Sequence, residues 1–136
     1  MVVFPKGGEY IGLLGAMVFQ EGPGADEGDN VKQHMELTWS PDATTWHRIE
    51  PATPFIENTP GPEPPVYGEM PYDWECIFAT APVFLDNELR IYYGAWDWNF
   101  FDWRKGYLAL ATLRQDGWAG CEPIMDGSNR VCPKVT

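Results

Sequence analysis

The chain has 136 residues, 44% of them apolar and 15% aromatic, with a formal charge of −11 at neutral pH. That length suits one domain that can bury roughly 70% of its unfolded surface, so a single core needs neither metal nor disulfides. The acidity argues against nonspecific binding to nucleic acid or an anionic membrane, because both are polyanions that reward Lys and Arg, and it leaves neutral or cationic ligands. With 14 Gly and 13 Pro, turns are favoured over long helices, and the expectation is an all-β chain.

Three cysteines, Cys76, Cys121 and Cys132, cannot all pair within one chain, and their spacing fits no zinc pattern. A reducing compartment is the plainer reading. No basic region with an apolar run and cleavage site opens the sequence, and no stretch approaches a membrane span, so the expectation is a cytoplasmic protein without cofactor or metal.

In chain order, Val2 to Phe4 reads as a short strand closed by Pro5 and Gly7-Gly8. Tyr10 to Phe19 is nearly continuous in apolar residues and reads as a buried strand; a helix is the alternative, against which Gly12 and Gly15 argue. Glu21 to Asn30 is acidic and Gly-rich. Asp26, Glu27 and Asp29 do not match the spacing of an EF-hand, and the segment reads as a solvated loop. Val31 to Ser40 alternates as a half-buried strand, with Met35, Leu37 and Trp39 on one face and His34, Glu36 and Thr38 on the other. Ser40-Pro41-Asp42-Ala43-Thr44-Thr45-Trp46 then reads as a turn in which Asp42 accepts backbone amides and Trp46 packs back over the hairpin.

Pro51 to Pro71 contains seven of the thirteen prolines and reads as a stiff connection. Beyond it, Ile77 to Leu85, Leu89 to Gly94 and Tyr107 to Leu113 read as strands of an antiparallel meander, with Asp86-Asn87 and Asp116-Gly117 as turn dipeptides. The halves also align: Glu9 to Ala16 with Glu88 to Ala95, and Leu37 to Asp42 with Ala111 to Asp116, each followed by a tryptophan, Trp46 and Trp118. A repeat of this length, carrying strands and turns, is a mark of propeller-like architecture. The expected organisation is one domain with blade-like repeats over 1–57 and 73–136, joined by a crossover over 58–72.

The Ser-Pro-Asp turn ending in Trp46 resembles the Asp-box of sialidase-like propellers, with Ala43 and Thr44 where a glycine is usual. Together with Leu89-Arg90-Ile91-Tyr92-Tyr93-Gly94, the segment 111–118 and Trp74-Glu75-Cys76, the chain resembles the five-bladed β-propeller glycoside hydrolases of the invertase-like and arabinanase-like group, over about two blades. That resemblance implies antiparallel four-stranded blades and, since two blades cannot close, completion by self-association into a dimer or trimer.

It also implies a general acid at Glu75, with Asp73 as an equally placed rival; the motif departs from the invertase-like one at Ile77 and Phe78. Glycoside hydrolysis needs a second, opposed carboxylate, for which Asp42, Asp97 or Asp102 of another subunit would serve. The alternative for Glu75 is a carboxylate satisfied at a strand start by backbone amides or by Arg104. Trp96, Asp97, Trp98, Asp102, Trp103 and Arg104 combine ring faces with hydrogen-bonding groups, a mixture that suits sugars, although the tryptophans also suit simple packing. The expected function is therefore carbohydrate binding or an inactive glycosidase remnant, with a cross-subunit glycoside hydrolase and a structural interaction protein as alternatives.

Overall fold

The computed structural model describes residues 1–19, 31–98 and 105–118, together with the backbone of strands 121–125 and 131–135. The acidic loop and the aromatic residues 99–104, which include Asp102, Trp103 and Arg104, lie outside the described residues. Among the described residues all regular structure is β.

β1 (Val2–Lys6) and β2 (Glu9–Phe19) form a hairpin whose two-residue turn, Gly7-Gly8, has φ of 62° and 90°. Positive φ at both positions is what the primed hairpin turns demand, and glycine adopts it without steric cost. β2 pairs along its length with β3 (Val31–Ser40), and β3 pairs with the short β4 (His47–Arg48), so the first four strands are a consecutive antiparallel meander. β3 then continues as the spine of the molecule. Its far edge is served first by β4, next by an isolated bridge between Met35 and Ile56, and finally by a parallel contact of Gln33 with β5 (Cys76–Ala79).

β5 and the two-residue β6 (Val83–Phe84) both lie antiparallel against β7 (Leu89–Trp96), and β8 (Gly106–Leu113) covers β7's other side. Among the described strands, β9 (Cys121–Met125) and β10 (Val131–Val135) pair only with each other. The principal sheet is thus mixed rather than purely antiparallel, and it curls into a half-barrel.

The core fills the concave side: Phe4, Leu13, Met35, Leu37, Ile77, Ala79, Ile91, Tyr93 and Ala95, drawn from β1, β2, β3, β5 and β7. Trp118 plugs this side, its ring centroid 5.2 Å from Phe4 and 5.9 Å from Phe55. Lys6 reaches Asp116 at 3.4 Å, so the curl brings the first strand back to the turn after β8.

Several expectations need correction. The run Ile77 to Leu85 is two strands rather than one, broken ahead of β6 where Pro82 supplies no backbone donor. Asp86-Asn87 does turn β6 into β7, with the Leu85 amide donating to Glu88 at 2.9 Å. Asp116-Gly117 lies in a turn closed by the Gly117 amide on Arg114, but it does not fold β8 back on β9.

β3 is buried on both faces instead of one, because the return segment 46–52 and Met1 cover its polar side. The internal alignment sets residues of different burial or packing against each other at two points. It pairs Leu13, fully buried, with Tyr92, which is exposed, and Trp46, packed over Gly12, with Trp118, packed into the core.

Candidate functional site

The turn after β3 forms as its residues suggest. Asp42 Oδ1 accepts the amides of Thr44 and Thr45 at 2.8 and 2.7 Å, Ser40 donates its hydroxyl to the same oxygen at 3.1 Å, and the Trp46 indole donates to Ala43 O at 3.2 Å. The Thr45 and Thr44 amides hold the Asp42 carboxyl far below the ordinary carboxylate range. Asp42 is therefore a turn-forming residue whose acceptor capacity is already spent.

A second polar group lies under the same hairpin. Glu36 accepts from Arg48 through both Nε, at 2.7 Å, and Nη2, from the Ala52 amide at 3.1 Å, and sits 3.1 Å from His34 Nε2. Burial pushes the Glu36 carboxyl up, but the bonds from Arg48 and His34, the Arg48 charge and the Ala52 amide together hold it below its ordinary value. Every oxygen is satisfied within the fold, which identifies this cluster as structural.

The anticipated site residues gather at one end of the sheet, where β5 begins and β7 ends. Asp73, Glu75 and Asp97 are buried there, at 3%, 1% and 9% exposure. The Glu75 amide donates to Trp96 O at 3.0 Å although Cys76 is the residue registered against Trp96, so two residues of one strand oppose one of the other. Such a bulge re-aims side chains at a strand end. Asn58 pins this end from the proline-rich connection, its amide donating to Gln33 O at 3.1 Å and Asp73 O at 2.9 Å.

Two layers flank this strand end. In the first, the Trp74 and Trp98 rings stack at 6.0 Å, the Tyr67 ring meets Trp98 edge-on at 5.4 Å, and Lys32 Nζ lies 4.3 Å from the centroid of the Trp74 ring. In the second, Tyr107 donates its hydroxyl to Asp97 Oδ2 at 3.0 Å, the hydroxyls of Tyr72 and Tyr93 are 3.0 Å apart, and the Tyr72 and Tyr107 rings meet at 6.0 Å. Burial, the Tyr72 hydroxyl and the nearby Asp73 charge raise the Tyr93 phenol, and Asp97 raises that of Tyr107, so both stay protonated hydroxyls at neutral pH. Asp73 Oδ1 and Trp74 Nε1 are buried with no hydrogen-bond partner among the described residues.

Of the anticipated ligand residues, Trp98 and Asp97 share this strand end with Asp73 and Glu75. Trp96 does not join the stacked pair. Its ring packs edge-on against Phe78 at 5.1 Å, over the space left by Gly94 and Gly106. Tyr67, Tyr72, Tyr93 and Tyr107 were not singled out by sequence reasoning. One readable signal was the recurrence of Asp-Trp at 73–74 and 97–98, just before β5 and just after β7, which the register brings to the same end.

Among the described residues no cluster of His, Cys, Asp and Glu is arranged to hold a metal ion. Cys76 is buried, and its thiol is pushed up to about 12 by burial and by Glu75, against a smaller lowering by the Gln33 amide; it is no nucleophile at neutral pH. No helix among the described residues is long and apolar enough to cross a membrane. No family model matches the sequence, and no similar curated protein or solved structure was found.

Proposed function

We propose that the protein binds a neutral carbohydrate at the end of the sheet formed by β5 and β7, as a binding unit related in plan to the blades of a glycoside-hydrolase propeller. The observation that carries this reading is the stacked Trp74–Trp98 pair with Tyr67 on its edge, beside hydroxyl-bearing Tyr72 and Tyr107. Trp74 is already covered by Trp98 and Lys32, so Trp98 and Tyr67 would meet the sugar face. Tyr67, Tyr72 and Tyr107 are all exposed, at 50%, 42% and 37%, and the two hydroxyls of the second layer would serve ligand hydroxyl groups.

The consecutive meander β1 to β4 with its Asp42 turn is the feature that best supports the blade-like part of the reading. Catalysis across subunits has less behind it. Glu75 is sealed within its own chain, and Asp42, one of its suggested partners, is committed to its turn. A hydrolase needs two carboxyl groups that reach the scissile bond from opposite sides.

The test is a titration of neutral oligosaccharides followed by tryptophan fluorescence and calorimetry. Trp98→Ala is expected to weaken binding at least tenfold, and Tyr107→Phe, which removes a single hydroxyl, about threefold to tenfold. Failure of every neutral oligosaccharide to bind at millimolar concentration would overturn the reading, as would binding that is indifferent to Trp98→Ala.

A further inference from the structure

A sheet edge is a row of unpaired donors and acceptors, and proteins that stay monomeric blunt such edges with proline, charge or brevity. Among the described strands most exposed edges follow that rule; the end of β2 beyond Leu13, past the reach of β1, and the whole of β8 do not. β1 carries Pro5 and Lys6, β4 and β6 are two residues long, β9 carries Glu122 and Pro123, and β10 carries Pro133 and Lys134. β8, Gly106-Tyr107-Leu108-Ala109-Leu110-Ala111-Thr112-Leu113, has neither proline nor charge over eight residues, and among the described strands it pairs only with β7. Leu108 and Leu110 on it are 79% and 46% exposed.

The ladder fixes which groups are free. Tyr92 and Trp96 turn their carbonyls toward the β5 side, receiving the amides of Thr80 and Glu75, so Ile91, Tyr93 and Ala95 face β8. Their registered partners Ala111, Ala109 and Tyr107 are thereby occupied, and Leu108, Leu110 and Thr112 point their backbone groups outward.

The hairpin β9–β10 is a poor occupant for this edge. Pro123 faces Pro133, and since neither can donate, theirs is a non-hydrogen-bonded pair whose amide positions face outward. Each outer rim of the hairpin therefore lacks a donor at mid-strand. A second β8, in contrast, is unblunted and self-complementary.

From this edge we infer that β8 is a homodimer interface, in which two copies of the chain pair β8 with β8, antiparallel, about a two-fold axis at Leu110. Leu110 lies across from its own copy, and Leu108 across from Thr112 of the other chain. The outward backbone groups of each are then satisfied, and the exposed leucines form one cross-strand row.

The experiment is light scattering of the intact chain over a micromolar concentration series, with amide hydrogen exchange on the same samples. The expected result is a dimer mass with protected amides at Leu108, Leu110 and Thr112. Leu110→Lys sets like charges against each other at the axis and is expected to raise the dissociation constant at least tenfold, with the far-ultraviolet circular dichroism unchanged. Leu108→Lys, at a position almost wholly in solvent, gives the same answer should Leu110→Lys fail to fold. A wild-type monomer overturns the inference. If its β8 amides are nevertheless protected, another segment of the same chain covers the edge. A dimer indifferent to both lysines overturns it equally.

Discussion

Ala43 and Ala52 stand at φ of 61° and 66°, a left-handed conformation in which a Cβ crowds the following carbonyl. Both are held there by what their turns accomplish: Ala43 lies inside the loop of amides closing on Asp42, and the Ala52 amide donates to Glu36. Ala43→Gly is therefore expected to raise stability by up to about 1 kcal/mol, which for a domain of this size is a rise in Tm of roughly 3–5 °C, read by thermal denaturation. In the sequence, Ala43 and Thr44 together stand where the Asp-box pattern that this turn resembles usually has a glycine. Gly61 carries the opposite lesson. A Cβ there would stand 2.8 Å from Trp74 Cδ1 and 2.9 Å from Met70 Sδ, and Trp74 is buried with no room to retreat. Gly61→Ala is expected to cost about 1–3 kcal/mol in urea denaturation and, by displacing Trp74 from Trp98, to weaken the proposed sugar binding. Nothing in a proline-rich stretch distinguishes a glycine of close approach from a glycine of a loose turn, so this role was hidden in the sequence.

At the level of the element, β3 shows how alternation understates burial. The pattern of Val31 to Ser40 sorts apolar from polar residues onto two faces, and that sorting holds, yet His34, Glu36, Thr38 and Ser40 are all buried. What the pattern cannot carry is the return of residues 46–52 over the polar face, where Arg48 and the Ala52 amide satisfy Glu36. The consequence is a defined acid sensitivity. The Glu36 carboxyl is held below its ordinary 4.5, so the stability it contributes is fully present above that pH and is lost as the pH falls through its folded value. Asp42, held below its ordinary 3.8, acts in the same direction. Stability is thus expected to decline steadily as the pH falls from about 4.5, and Glu36→Gln is expected to cost about 3 kcal/mol at pH 7 and to flatten that acid limb, as measured by urea unfolding across pH. The strand breaks are a plainer case: Pro82 was visible inside the run Ile77 to Leu85, and its missing donor is what separates β5 from β6.

For the whole molecule, the question is whether the halves are separable units, as two blades would be. Local signals made the strands, the hairpin turns and the all-β class readable, because each depends on neighbours a few residues apart. The joining of the halves depends on contacts between distant residues, which no local pattern encodes. β3 meets β5 at Gln33 and Cys76, Asn58 ties Gln33 to Asp73, and Phe4 packs on both Phe84, at 6.1 Å, and Trp118. One core cluster draws on both halves, and neither half alone closes it. Burying about 1,000 Å² of apolar area contributes on the order of 25 kcal/mol before entropy is subtracted, far more than the 5–15 kcal/mol of net stability typical of a domain, so dividing a shared core leaves neither part with a surplus. The chain is therefore expected to unfold in one transition by calorimetry, with equal calorimetric and van't Hoff enthalpies, and fragments 1–57 and 73–136 are expected to show no cooperative melt when expressed alone. Two separate transitions, or a fragment that melts cooperatively, would show that each half stands as an independent unit and that the parallel contact between β3 and β5 is incidental to the fold.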